Sequence, residues 1–357
     1  MNLLAYNLLG LKPDAFGLEI ENCSIKTVRL EKKRNKFRLV SCAKKMIPRG
    51  VVQGEQVVNA QKLADEIKSL LSSSQPKPIK TKNVIFSIPE TKAFIRTIQI
   101  PKMTNREARE AVKWETEANI PISVDKVYLD WQVIADKGEK EEILVVAVPK
   151  NIVDSYYQAV VLAGLAPLAV EIDVMATIRS LTRSFETSEC VLIADIGAEN
   201  TSLAICQNQV PYFTSSIPLS GNTFTEALQK EVGVSWENAE EIKFKFGLGK
   251  LEHEDMLYKI FNPLIENLAS EIEKSIGFFA ESINSHDKVE KVILSGGGAQ
   301  LYEFSNYLTQ RLGKKVTLGD PSLQIDSKNF PYKISSRDLL SYSTVIGLAL
   351  RGADYEN

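Results

Sequence analysis

The sequence predicts an α/β protein of two similar lobes, the first interrupted by an inserted α+β subdomain. Three observations lead there. The segments Phe16-Gly-Leu-Glu-Ile-Glu-Asn-Cys-Ser-Ile-Lys26 and Val191-Leu-Ile-Ala-Asp-Ile-Gly-Ala-Glu-Asn-Thr-Ser-Leu203 each run apolar residues into a carboxylate, Glu19 or Asp195. Each then turns through small or polar residues into a second apolar run. Further on, Ser295-Gly-Gly-Gly-Ala299 joins a strand-like run to a helix-like one. Finally, 357 residues exceed one ordinary core and suit two domains or one bilobed unit.

Taken in order, the first hairpin continues as alternating strands over 26–30 and 37–46, joined by a charged turn. Residues 55–71 place Val57, Leu63, Ile67, Leu70 and Leu71 on one face, the spacing of an amphipathic helix covering the sheet. A polar, proline-broken connection at 72–80 closes this first half-lobe, residues 1–80. Strands over 83–88 and 92–100 follow, then a helix opened by the capping box Thr104-Asn-Arg-Glu107 and closed near Pro121. Strands over 126–134 and 142–149 and a helix over 151–163 complete the inserted subdomain, residues 81–168. The remainder, 169–357, repeats strand, hairpin and strand from Cys190. Helix is expected over 227–246 with a break at 232–236, and over 256–283 with Leu257, Phe261, Leu264, Ile265, Leu268, Ile272, Ile276 and Phe279 as a core stripe. A strand over 289–294 runs into the triple glycine, and a last helix over 342–351 is expected to return to the first lobe.

Composition excludes several functions. The shares of 44% hydrophobic and 25% charged residues are those of a globular chain and argue against disorder or a fibre. A formal net charge of -2 gives no bulk attraction to nucleic acid or anionic lipid. Cys23, Cys42, Cys190 and Cys206 lie far apart in strand-like runs and read as buried, reduced thiols. His253 and His286 sit in polar connections without a second ligand at metal spacing, against a metal cage or a histidine triad. The N-terminal run 1–11 is apolar but lacks a basic n-region and a cleavage site and is too short to span a bilayer. A cytoplasmic location is expected, with this arm docked on its own body or on a partner.

Phosphate chemistry is the reading that the two hairpins and the triple glycine support together. Gly197 lacks a Cβ, so backbone N-H groups there can approach a phosphate. Asp195 could hold a water of hydrated Mg²⁺, an ion that keeps most of its waters. Asn200 and Thr201 could bond the same phosphates, although a tight turn with a capping aspartate explains this triplet alone. Gly296, Gly297 and Gly298 allow a flat group against the main chain, beside a helix N-terminus; alone they too are a tight turn. Glu240 and Lys243 share a helical face three residues apart, as an ordinary ion pair or as ribose contacts. In the first hairpin Glu19 replaces the shorter aspartate and Glu21 stands where a glycine is expected. A carboxylate aimed at phosphate costs on the order of 1 to 4 kcal/mol, leaving Ser24 and Lys26 as phosphate partners. Hydrolysis suffers more than binding, because phosphoryl transfer depends on positioned charge stabilisation.

In these segments the chain resembles the PilM family of type IV pilus assembly proteins, cytoplasmic relatives of the division protein FtsA in the actin-like ATPase superfamily. The resemblance rests on Ala194-Asp-Ile-Gly-Ala-Glu-Asn-Thr201, Ile217-Pro-Leu-Ser-Gly-Asn-Thr-Phe-Thr225, Ala239-Glu-Glu-Ile-Lys243 and Leu294-Ser-Gly-Gly-Gly298. The stretch from Ser87-Ile-Pro-Glu through Ile100-Pro-Lys-Met-Thr-Asn-Arg-Glu107 resembles that family's inserted subdomain. It implies an actin-like ATPase fold of two ribonuclease-H-like lobes, with ATP and Mg²⁺ in a cleft between them. Asp195, Gly197 and Thr201 then lie on phosphates and metal, Glu240 and Lys243 near the ribose, and Gly296, Gly297 and Gly298 beneath the adenosine. The family's first phosphate loop falls on Glu19, Ser24 and Lys26, where Glu21 departs from the usual glycine; at most a weak ATPase is implied. The resemblance also implies a scaffold that grips the cytoplasmic N-terminal tail of a PilN-like membrane protein, peripheral to the inner membrane through that partner. Other platform or motor proteins and a homo-oligomer are further expected partners, without nucleic acid or direct membrane insertion.

Three other readings compete. A nucleotide-free pseudo-ATPase adaptor of a related secretion system is favoured by Glu21 and opposed by the intact second loop and the triple glycine. An FtsA-like filament former would need a C-terminal amphipathic anchor, whereas 351–357 is acidic and polar. A sugar-kinase-like phosphotransferase needs a catalytic carboxylate over a substrate hydroxyl, for which Asp173 is the candidate.

Overall fold

The computed structural model describes residues 14–34, 36–120, 122–183, 189–248, 254–282, 288–326 and 336–354. The apolar arm 1–11, Pro121, His253, His286 and residues 355–357 lie outside the described residues. The chain divides into two compact units, one of Met1–Ser180, Ser322–Lys333 and Thr344–Asn357, the other of Leu181–Pro321 and Ile334–Ser343.

In the first unit the strands are β1 (Ala15–Ile20), β2 (Ser24–Lys33), β3 (Lys36–Met46), β4 (Val52–Gln53), β5 (Gln56–Val57), β6 (Asn83–Ile88), β7 (Phe94–Pro101), β8 (Val127–Asp136), β9 (Lys140–Pro149) and β10 (Ala166–Ile172). Five of them form a sheet ordered β10-β6-β1-β2-β3. The pairs β1-β2 and β2-β3 are antiparallel, whereas β1-β6 and β6-β10 are parallel. Every residue of β1 is buried, as a strand covered on both faces requires. Gly17 shows how closely one cover sits: a Cβ there would lie 2.6 Å from the Val345 carbonyl oxygen and 2.8 Å from the Ala349 nitrogen of the helix Ser343–Ala353. Ala176, Ile85 and Leu348 pack together beside that contact.

The helix expected over 55–71 spans Ala60–Ser73 instead. Residues 52–57 form the small β4-β5 hairpin, and Asn59 caps the helix by accepting from the Lys62 N-H at 2.9 Å. Asparagine satisfies a free N-H best as an N-cap, so the helix starts behind it. Its buried face, Leu63, Ala64, Ile67, Leu70 and Leu71, is the expected stripe without Val57.

The segment 83–88, read as part of the insertion, lies instead inside the main sheet between β1 and β10. Its residues Val84 to Ile88 are all buried, so both faces need cover that a small appended sheet does not supply. The helix Lys150–Leu162 likewise packs against Ala60–Ser73, burying Ile152, Tyr156, Ala159 and Val160. The separate sheet is therefore three-stranded, β7-β9-β8, with the helix Asn105–Asn119 laid on it, its Ala108 and Val112 clustered with Ile100, Ile143 and Val145 of the strands. That helix carries the expected capping box between Thr104 and Glu107.

The second unit contains β11 (Val191–Ile196), β12 (Thr201–Gln207), β13 (Val210–Ile217), β14 (Lys291–Ser295) and β15 (Lys315–Leu318). The order β15-β14-β11-β12-β13 repeats the first sheet strand for strand, with two antiparallel pairs and two parallel ones in the same places. Its core holds Phe224, Phe261 and Phe304 in edge-to-face contact. The helix Glu254–Ser282 buries Leu257, Phe261, Ile265, Leu268, Ile272 and Phe279 of the expected stripe, while Leu264 and Ile276 are partly buried. Cys42, Cys190 and Cys206 are buried thiols outside any disulfide, but Cys23 lies in the β1-β2 turn and is partly exposed.

Candidate functional site

In the second unit, β11 ends at Asp195 and Ile196, and a four-residue turn, 197–200, leads to β12, with Ile196 paired to Thr201. The Gly197 N-H closes the turn by donating to the Asn200 carbonyl at 2.9 Å. Against it stands the N-terminus of the helix Gly221–Val232. The Gly221 and Asn222 N-H groups donate to the Gly197 and Ala198 carbonyls at 2.8 and 3.0 Å. Ser220 and Thr223 cap this helix reciprocally, which is why it starts at 221 and not at 227. Helix-poor Gly221 and Thr223 obscured that start in the sequence.

The triple glycine meets the same strand end. Gly296 has a φ of +81°, and a Cβ there would stand 2.6 Å from Asp195 Oδ1. A Cβ on Gly298 would collide with the Ile196 side chain, whereas one on Gly297 would meet nothing within 4 Å. Two of the three glycines thus serve close packing of β14's turn onto β11, and only Gly297 borders open space.

Lys243, on the helix Trp236–Phe246, is 3% exposed. Its Nζ donates to the Gly221 carbonyl at 3.0 Å, to Thr225 Oγ1 at 2.7 Å and to Glu240 Oε1. Burial lowers its pKa, with Glu240 working against that shift. An ammonium has three donors, and all three are engaged within the fold. The expected ribose role therefore fits Glu240, which is partly exposed, better than Lys243, which holds the helix start in place. Thr201 is fully buried and its hydroxyl donates to the Leu219 carbonyl at 2.6 Å. The second unit thus brings together Asp195, Gly197, Asn200, Thr201, Glu240, Lys243 and Gly296 to Gly298. Gly221 and Thr225 join them; sequence reasoning quoted their segment without assigning them a role.

The first hairpin has the same backbone and a different chemistry. Ile20 pairs with Ile25 across a four-residue turn, 21–24, closed by the Glu21 N-H donating to the Ser24 carbonyl at 2.9 Å. Lys26 is 4% exposed. Its Nζ lies 3.2 Å from Glu19 Oε1 and 2.9 Å from Glu21 Oε1, while Ser24 Oγ donates to Glu21 Oε2. Burial disfavours the ammonium, but the two carboxylates beside it outweigh that and raise its pKa. Burial likewise opposes ionisation of Glu21, and Lys26 and Ser24 reverse it, holding the carboxyl below its ordinary value. The residues expected to receive phosphate are thus engaged by their own loop.

Asp173 is placed as a structural residue. Its Oδ1 accepts from the N-H groups of Glu90 at 3.0 Å and Val174 at 2.6 Å, at the start of the helix Asp173–Thr182. These two bonds are those of a strand-end turn.

The family described as Type IV pilus assembly protein PilM matches residues 17–353. A chain of a PilM-PilN type IV pilus biogenesis complex superposes with a TM-score of 0.82 at 29% identity, covering 95% of this chain and 98% of its own. MreB5 of Spiroplasma citri bound to AMPPNP gives a TM-score of 0.54 at 11% identity over 94% of this chain and 95% of its own, a likeness of fold alone. The cell division protein FtsA of Streptococcus pneumoniae serotype 2 (strain D39 / NCTC 7466) is 22% identical over 382 aligned positions, 94% of this chain and 82% of FtsA. The fold is thus actin-like, of the branch that includes FtsA, and the chain belongs to the type IV pilus assembly protein PilM family.

Proposed function

We propose that this chain is a cytoplasmic adaptor of a type IV pilus inner-membrane platform that grips the cytoplasmic N-terminal tail of a PilN-like membrane protein. The observation that carries this reading is the near full-length likeness to a chain of a PilM-PilN complex. Among the described residues no helix is long and apolar enough to cross a membrane, so attachment through such a partner is consistent with the chain. A labelled peptide of that tail, from the PilN-like protein of the same organism, should bind saturably in fluorescence anisotropy. No binding to folded protein overturns the adaptor reading.

The second part of the proposal is that the second unit holds adenine nucleotide. Open space at Gly297, the turn at Gly197 and the partly exposed Glu240 support it. Asp195 would hold Mg²⁺ through water, since among the described residues no three His, Cys, Asp or Glu side chains gather as a cage. When bound, the nucleotide supplies phosphoryl groups as anchors; the chain's part is to bind and orient them. Calorimetric titration of Mg-ATP should show binding that weakens about tenfold or more in Asp195→Ala, the loss of one charge-assisted contact. Equal heats in both proteins would remove the nucleotide from this site. The closed first hairpin favours a second reading, a nucleotide-free adaptor, and absence of heat in both proteins selects it.

A further inference from the structure

The two hairpins share loop length, register and closing bond, so Glu21 occupies the position of Gly197, Ser24 that of Asn200 and Lys26 that of Ser202. The glycine in the second hairpin puts no side chain into its turn. The glutamate in the first folds back so that its two oxygens meet a buried ammonium and a buried hydroxyl, Lys26 Nζ at 2.9 Å and Ser24 Oγ. One cation and one hydroxyl donor are also what a phosphoryl oxygen would take.

We propose that Glu21 is a specificity-determining residue that keeps the first hairpin closed to phosphoryl groups, its carboxylate filling the place on Ser24 and Lys26 that such a group would occupy. Three features support this. The resident anion is tethered, so any free anion competes with a group held at high effective concentration. Once displaced, that carboxylate would face the incoming anion and repel it. The turn is also pinned from outside: the Glu55 N-H donates to Asn22 Oδ1 at 3.2 Å and the Ile47 N-H to the Cys23 carbonyl at 2.9 Å, which opposes a rearranged loop. Glu19 and the exposed Lys44, opposite Lys26 on β3, are the other charges nearby. The nucleotide reading enters only through the consequence: the phosphates of a nucleotide bound by this chain are held without the first hairpin.

The test uses magnesium pyrophosphate as probe and the full chain in an Asp195→Ala background, which lowers the second hairpin's contribution. Calorimetry should find only weak, Lys26-independent binding with Glu21 present and a gain of about tenfold or more in affinity with Glu21→Gln or Glu21→Gly. That gain should vanish when Lys26→Met is added. The isosteric Glu21→Gln decides the matter if Glu21→Gly does not fold. Pyrophosphate affinity unchanged within about twofold in folded Glu21→Gln, or Lys26-dependent binding already present with Glu21, overturns the proposal. Failure of the nucleotide reading shows separately, as Mg-ATP binding indifferent to Asp195→Ala alone.

Discussion

The two units build one sheet twice, and their first hairpins match in register, turn length and closing hydrogen bond, yet one turn carries Gly197 and the other Glu21. The apolar alternation that sets topology is the same in both, since β1 and β11 are both almost wholly buried. Ligand competence is separable from it, because it depends on the few turn side chains that the core does not constrain. The same sheet therefore accommodates either a glycine or a glutamate at the first turn position. The cross-strand partner differs as well: Lys26 faces Glu19 across the ladder, whereas the corresponding pair in the second unit is Asp195 and Ser202.

The largest effect should come from breaking that pair. Lys26→Met leaves Glu19 buried without its ammonium and should cost about 3 kcal/mol in denaturant unfolding. Ser202→Ala, at the matching place, should cost less than about 0.5 kcal/mol. Equal costs would mean that the hairpins are not electrostatically distinct.

A smaller effect is expected at the second unit's packed turn. Gly296→Ala puts a Cβ against Asp195 and forces a φ of +81° on an L residue, so about 2 kcal/mol should be lost. Gly297→Ala, facing open space, should cost less than about 1 kcal/mol and should lower Mg-ATP affinity if the ligand sits there. A reversed order of these two stabilities would break the assignment of Gly296 to packing.

The smallest effect concerns acid. Glu21 is partly exposed, so its ion pair contributes no more than about 1 kcal/mol. Because its folded pKa lies below the ordinary 4.5, that contribution is present above pH 4.5 and fades as pH falls through the lower folded value. Thermal unfolding of the native chain should therefore fall more steeply below pH 4.5 than that of Glu21→Gln. Parallel curves would show that the carboxylate is not held on Lys26.

The candidate site was legible where chemistry follows the local chain. Asp195, Gly197 and the triple glycine announce themselves as strand-end turns, and Thr104 and Glu107 as a cap, because each interaction spans a few residues. The start at Ser220 was missed because glycine and threonine weaken the helical pattern, although the reciprocal cap was present in the letters. Strand 83–88 was assigned to the wrong sheet for a different reason: a buried strand reads the same whichever neighbours cover it.

By itself the sequence determined the two hairpins, the positions of their carboxylates and the alternation from which both sheets are built, since these depend on local period and turn chemistry. Only the tertiary structure decided that Glu21 lies back on Ser24 and Lys26, that Lys243 is engaged by Gly221, Thr225 and Glu240, and that Gly296 and Gly298 pack against β11. Those outcomes depend on side-chain direction and on approach between segments up to about a hundred residues apart, and a charge in water leaves no mark in the sequence of the partner that folding will bring to it.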